Sequence, residues 1–303
     1  MPHREPSLPA GVARLRRGER GYPRLLGKIG DPPEVLYVRG ELPRGPAVAV
    51  VGSRECTAYG RRIAYRLAVD IARCGFVVVS GLARGIDAEA HRGSLDGDGK
   101  TVAVLPTGID RIYPPSNTSL ARRIERAGAI ITEFEPRTTP FPSNFHQRNR
   151  IIAGMAVATV VIEAARRSGT KITVKYALEY DREVLAVPGP IDSRTSEGAN
   201  ELILEGAAPC TGIDSLLLQL PDWARQRAVR RLDAVRRDGT DIVAGLPAPA
   251  RAVLAAIPAD RSCGVDHLVA ATGLPVARLL AALTDIEARG LIRSVSGQRY
   301  ERM

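Results

Sequence analysis

The chain has 303 residues, 45% of them hydrophobic, which excludes disorder over most of its length and allows a large domain with a smaller one. Its formal net charge of +10 favours an anionic partner, although the cations are nearly all Arg, which an Arg-biased genome would also supply. No stretch approaches the ~20 apolar residues of a membrane span and residues 1–20 are Pro- and Arg-rich, so the expectation is a cytoplasmic protein with no membrane partner.

Residues 1–46 read as a compact lead-in, with Tyr22-Pro23-Arg24-Leu25-Leu26, Pro32-Pro33 and Leu36-Tyr37-Val38-Arg39-Gly40 as its pieces. From residue 47 to 221 short apolar runs alternate with helical patterns. The runs are 47–51, 76–79, 102–105, 129–132, 158–162 and 184–187, each rich in β-branched residues and flanked by Gly, Ser or Pro. Such runs predict buried parallel strands. Between the first two, Ile63, Leu67, Ile71 and Cys74 recur at helical spacing, with Arg61, Arg62, Arg66 and Arg73 opposite. Asn117 stands where it would cap the helix through Leu120 and Ile124. Repeated strand–helix alternation predicts an α/β fold with a doubly wound parallel sheet.

Residues 222–248 form an Arg-rich stretch, partly offset by Asp222, Asp233 and Asp238 and closed by Gly245-Leu246-Pro247, and read as a linker. Residues 249–303 carry helical patterns over 250–257, 265–271 and 276–289, then a hairpin pattern over 291–295 and 299–301. This order predicts a small winged-helix domain. Val276, Leu279, Leu280, Leu283 and Ile286 form the expected apolar face of its third helix. The outer face, Ala277, Ala281, Ala282 and Asp285 beside Arg278, is poor in side chains that read base edges, which argues against a transcription regulator. Duplex backbone, through Arg293, Arg299 and Arg302, or a protein is then the expected ligand of this tail.

Four segments could carry chemistry. The first strand runs into Gly52, Ser53 and Arg54, where a turn beside a helix N-terminus suits phosphate. Two glycines flank the loop 80–87 after the second strand, where Asp87 and His91, at i and i+4, more often form a structural bond than an acid–base pair. Phe145 precedes Arg148, Asn149 and Arg150 at a helix start: one face for a base, with charges for phosphates. The alternative there is an Arg pair bonded to Glu133 or Glu163. Ser168, Gly169 and Thr170 open another helix, with Lys171 and Lys175 close behind. The four Cys show no CxxC pair and the four His no metal-ligand spacing, so no metal, disulfide or cofactor is expected.

Taken together, VGSR at 51–54, SGLARGIDAEAH at 80–91, YPPSN at 113–117, FHQRNRIIAGMA at 145–156, SGTKIT at 168–173, VPGP at 187–190 and EGANELILEGA at 197–207 resemble the DNA-processing protein A family (DprA/Smf) over roughly residues 21–215. The resemblance implies a Rossmann-like core and single-stranded DNA binding. It also implies a homodimer that protects incoming DNA and loads a RecA-type recombinase during natural transformation; with no metal ligands, nucleophile–base pair or cofactor fingerprint in the sequence, no enzymatic turnover is expected. Carried over by motif, it makes Gly52, Ser53 and Arg54 phosphate-binding and Phe145 the base-contacting aromatic. Arg148, Asn149 and Arg150 would line the pocket, Ser168, Gly169 and Thr170 would face it, and Lys171 or Lys175 would charge its rim. Two departures are His146, where the family usually has Pro, and Lys171, where many relatives are apolar. The competing reading is a nucleotide-processing enzyme similar to the LOG phosphoribohydrolases, but their PGGxGTxxE motif is absent. The missing GxGxxG disfavours an NAD oxidoreductase.

Overall fold

The computed structural model describes residues 8–166, 168–244, 246–258 and 261–302, without the side chains at 233 and 235–244. Gly245 and the side chains of Asp233 and Asp238, singled out above, lie outside the described residues.

The amino-terminal lead-in is part of the main sheet. Its strands β1 (Val12–Arg16) and β2 (Val35–Gly40) pair antiparallel, and β2 continues antiparallel onto a strand of the core. After it come β3 (Ala47–Val51), α1 (Ala58–Arg73), β4 (Val77–Ser80), α2 (Ile86–Asp96), β5 (Thr101–Val104), α3 (Thr118–Ala127) and β6 (Ala129–Thr132). The chain goes on through α4 (Pro142–Met155), β7 (Ala158–Val161), α5 (Thr170–Glu179), β8 (Glu183–Ala186), α6 (Glu197–Leu204), β9 (Ala208–Pro209) and α7 (Ile213–Gln219). Among the described residues the sheet has nine strands in the order β1-β2-β6-β5-β4-β3-β7-β8-β9, parallel from β6 to β9.

The six apolar runs are β3 to β8, displaced by at most one residue at each end. They are legible because a strand covered on both faces must be apolar at successive positions. Alternate residues serve the two faces: Val102 and Val104 join a core with Ile151 of α4 and Val174 of α5, whereas Ala103 joins Leu120 and Ile124 of α3. Leu26, Leu36 and Val38 of the arm pack into the first of these cores. Each such side chain contributes about 1.5–3 kcal/mol by leaving water. Asn117 does stand at the N-terminus of α3, but it does not cap it. Its amide Nδ2 donates instead to the carbonyls of Leu82 (2.9 Å) and Ala83 (3.3 Å) and fixes the loop after β4.

The stretch expected as a linker is a continuous helix, α8 (Asp222–Ala244), whose Ala224 and Ala228 are fully buried. The chain divides into two units between Arg231 and Leu232. The second unit contains α9 (Ala248–Ala256), β10 (Cys263–Gly264), α10 (Val265–Thr272), α11 (Val276–Ala288), β11 (Ile292–Val295) and β12 (Arg299–Arg302), with sheet order β10-β12-β11. This is the winged-helix arrangement. The apolar face of α11 is narrower than expected: Leu279, Ala282, Leu283 and Ile286 are buried, while Val276 and Leu280 are exposed. Leu280 follows Leu279 and is turned about 100° from it, off the buried stripe. Ala282, expected on the outer face, belongs to the core. The three arginines expected to meet duplex backbone are engaged at home: Arg293 with Glu301, Arg299 with the Ser262 carbonyl at 2.6 Å, and Arg302 with the Leu254 carbonyl at 2.5 Å. Among the described residues no single helix is long and apolar enough to cross a membrane.

Candidate functional site

The strand order reverses between β3 and β7, because the chain builds outward from β3 to β6 and then returns to the other side of β3. In an open parallel sheet such a switch point leaves a crevice outside the strand carboxyl ends. Here it is a cleft of about 570 Å³. The loop after β3 supplies Gly52, Ser53 and Arg54. The start of α4 supplies Phe145, Arg148 and Asn149, and the entry to α5 supplies Ser168, Gly169 and Thr170. Nine of the twelve residues selected from sequence therefore line one cavity.

Arg54 is exposed, and among the described residues no hydrogen bond or ion pair engages its guanidinium. It lies over the ring of Phe145, 4.9 Å from the centroid. The same ring meets Tyr113 edge-on at 5.5 Å and 74°. Arg54 and Phe145 also border a smaller cavity of about 250 Å³, shared with Arg84, Tyr113 and Pro114. The stacked pair thus divides two recesses. The Ser53 backbone behaves differently from expectation: its N–H donates to the Glu163 carbonyl at 2.6 Å, and its Oγ accepts from the N–H of Glu55 at 3.1 Å. The nearby N-terminus of α1 already has an anion. The buried Glu163 carboxylate accepts from the N–H and Oγ1 of Thr57, at 2.8 and 2.6 Å. A Cβ on Gly60 would run into that carboxylate, so glycine is required there.

Arg148 forms the inner wall. It is 4% exposed and donates to the carbonyls of Gly81, at 2.6 Å, and Val104. The room at Gly81 is filled by this guanidinium, since a Cβ there would collide with it. Burial pulls the Arg148 pKa down to about 10, partly opposed by Asp87, so it remains a cation at neutral pH. Asp87 is pushed up by its own burial and held down by Arg148 and by loop N–H groups. Its Oδ2 accepts from Gly81 at 3.1 Å and Ala83 at 3.3 Å. Asp87 thus holds the loop, as its position implied, but without His91. The Nδ1 of His91 meets Thr101 Oγ1 at 2.7 Å, and burial lowers the pKa of the imidazole to about 3.

Three residues expected at the cleft are elsewhere. Arg150 is buried, bonded to Glu133 and to Asp31, the latter through its carbonyl at 2.7 Å and its carboxylate at 3.2 Å. Residues 148 and 150 are about 200° apart around α4, so they cannot share a face. The alternative of an arginine bonded to Glu133 holds for Arg150. Lys171 is held by Glu201 at 2.5 Å, and Lys175 pairs with Glu179 at 3.6 Å along α5. Both are rotated off the line of Thr170. Conversely, Arg84 and Glu55 line the cleft and were not selected. Arg84 lies inside the motif at 80–91, where it is the exposed cation of a loop otherwise read for its glycines. Among the described residues no group of three or more His, Cys, Asp or Glu could hold a metal.

Residues 14–221 match the family model of DNA recombination-mediator protein A, and residues 240–298 match the DprA winged helix domain. Protein Smf of Escherichia coli K12 is 37% identical, with 91% of this chain and 74% of that protein covered. The DNA processing protein DprA of Bacillus subtilis is 36% identical, with 70% of this chain and 72% of that protein covered. The structure of DprA from Streptococcus pneumoniae superposes with a TM-score of 0.66 at 36% identity, covering 70% of this chain and 75% of that one. DprA from Helicobacter pylori, described for its single-stranded DNA binding mode, gives a TM-score of 0.62 at 28% identity, covering 69% and 97%.

Proposed function

Because the chain belongs to the DNA recombination-mediator protein A family, we propose that it binds single-stranded DNA in the cleft outside β3 and β7. In this reading it works as a cytoplasmic homodimer that protects incoming strands and loads a RecA-type recombinase in natural transformation. It binds and hands over; it does not turn DNA or nucleotides over. Gly52, Ser53, Arg54, Phe145, Arg148, Asn149, Ser168, Gly169 and Thr170 form the binding surface, residues 1–231 carry it, and the winged helix is a separate module.

The observation that carries this reading is the exposed, unpaired Arg54 guanidinium stacked on Phe145 at the mouth of a switch-point cleft. A cation over a half-buried ring is worth about 0.5–2 kcal/mol. A hydrogen bond from the same cation to a charged group is worth about 1.5–3 kcal/mol. An arriving phosphate therefore draws Arg54 off the ring and opens the ring face to a base. Arg148, buried under Phe145's helix turn, keeps the floor of the cleft positive. Asp87 supports binding rather than acid–base work, since its carboxylate is bonded into the loop and faces Arg148. The exposed Ile191, Leu204 and Leu218, in the stretch after β8, supply apolar surface for self-association.

The test is anisotropy with a labelled oligothymidylate and, on the same protein, thermal melting. Phe145→Ala is expected to lose about 1–3 kcal/mol of single-strand affinity and to melt nearly as the parent does. Phe145→Trp is expected to retain most binding. A large fall in melting temperature with unchanged affinity per folded molecule would put Phe145 in the core and remove the site.

A further inference from the structure

The strands that end at the cleft begin at another concave surface. Ala47, Val77 and Val102, at the start of β3, β4 and β5, floor a cavity of about 770 Å³. The two recesses are at opposite ends of β3, whose length puts them on the order of 13 Å apart at the least. Five cations surround the second one: Arg20, Arg24, Lys28, Arg44 and Arg227. All five are exposed, and among the described residues no hydrogen bond or ion pair engages any of their side chains. Among the described residues no carboxylate lines the cavity. Two acids close in sequence are occupied: Glu19 accepts from the Arg16 N–H at 2.8 Å, and Asp222 pairs with Arg225.

Two aromatics complete the lining. Tyr22 is fixed, its hydroxyl donating to the Pro33 carbonyl at 2.6 Å. Trp223, at the start of α8, is 54% exposed. An indole left half in water is costly. Flat faces and positive charges set side by side are the elements that bind single-stranded nucleic acid without sequence preference.

We propose that this cavity is a second single-strand site, in which a base stacks on Trp223 and the flanking phosphates lie against Arg20, Arg24, Arg44 and Arg227. Its chemistry does not depend on the cleft at the other end of the sheet. A strand held at both sites would be bound around the edge of one protomer.

Trp223 is the sole tryptophan of the chain, so its emission reports on this cavity. Full-length protein is titrated with a short oligothymidylate, and separately with an abasic strand of equal length. The expected result is saturable quenching by the thymidylate and much weaker quenching by the abasic strand. Arg44→Gln with Arg227→Gln is expected to weaken the quenching affinity about tenfold, through two lost phosphate contacts, with the melting temperature unchanged. Phe145→Ala, which weakens the cleft, is expected to leave the quenching in place. The proposal fails if thymidylate does not quench at concentrations that saturate anisotropy, or if the abasic strand quenches equally. It also fails if the double Gln variant quenches as the parent does, or if quenching disappears with Phe145→Ala. Undiminished cleft binding by Phe145→Ala, with quenching retained, would instead count against Phe145's role alone.

Discussion

Three arginines near one turn of α4 illustrate how environment assigns a residue's work. Arg54 is exposed and unpaired, Arg148 is buried against Asp87 and two carbonyls, and Arg150 is bonded to Glu133 and Asp31 on the far side of the helix. Their substitutions should therefore separate cleanly. Arg54→Ala removes an exposed cation and its contact with the Phe145 ring, worth little to stability. It should leave melting unchanged, weaken single strands of every sequence similarly, and lower the slope of log affinity against log salt by roughly 0.7 per phosphate contact. Arg148→Met removes the buried donor of the Gly81 and Val104 carbonyls and leaves them unsatisfied, a change that costs about 1–3 kcal/mol. Urea unfolding of the two variants beside salt titrations is the measurement. An unchanged salt slope for Arg54→Ala would show that its guanidinium touches no phosphate, and an Arg148→Met protein as stable as the parent would show that the Gly81 and Val104 carbonyls do not depend on it.

At the level of elements, helix N-termini decide which loops are available to a ligand. The N-terminus of α1 is closed by the protein's own Glu163, which reaches it because Gly60 has no side chain. Gly60→Ala should push that carboxylate away and destabilise the fold by about 1–3 kcal/mol, several degrees of melting temperature. Affinity per folded molecule should hold, because the ligand side of the cleft is not touched; a binding loss at unchanged stability would assign that terminus to the ligand instead. Glu163 also shows where sequence reading stops. The strands β3 to β8 were legible from continuous β-branched runs, and Gly52-Ser53-Arg54, Phe145 and Arg148 from residue chemistry. That the Ser53 N–H is engaged by the Glu163 carbonyl depends on a contact between residues far apart in the chain. Arg150, Lys171 and Lys175 were misplaced because neighbours in a motif are not neighbours on a helix, where each residue turns about 100°. Strands β1 and β2 were missed as sheet members because a mixed run such as VARLR acquires its meaning only from its antiparallel partner. The helix α8 was read as a linker because its charged face hides two small buried alanines, Ala224 and Ala228.

For the whole molecule, a net charge of +10 attracts any polyanion, so bare affinity discriminates little, and strand length becomes the informative variable. Under the proposed homodimer, two clefts sit on one particle. A strand that reaches both gains an effective concentration that can raise affinity 10²–10⁴-fold, and a strand too short to reach gains none. Affinity plotted against oligonucleotide length should therefore show a steep rise rather than a gradual increase. A second site on the same protomer would also produce such a rise, at a shorter length and independent of self-association. The two sources come apart on substitution: Arg44→Gln with Arg227→Gln should abolish only the shorter threshold, and dilution below the dimer's dissociation constant only the longer one. Light scattering fixes the oligomeric state at each concentration used. A smooth length dependence at concentrations where the protein is dimeric, no steeper than counting overlapping sites requires, would leave each cleft acting alone and remove the reason for pairing them.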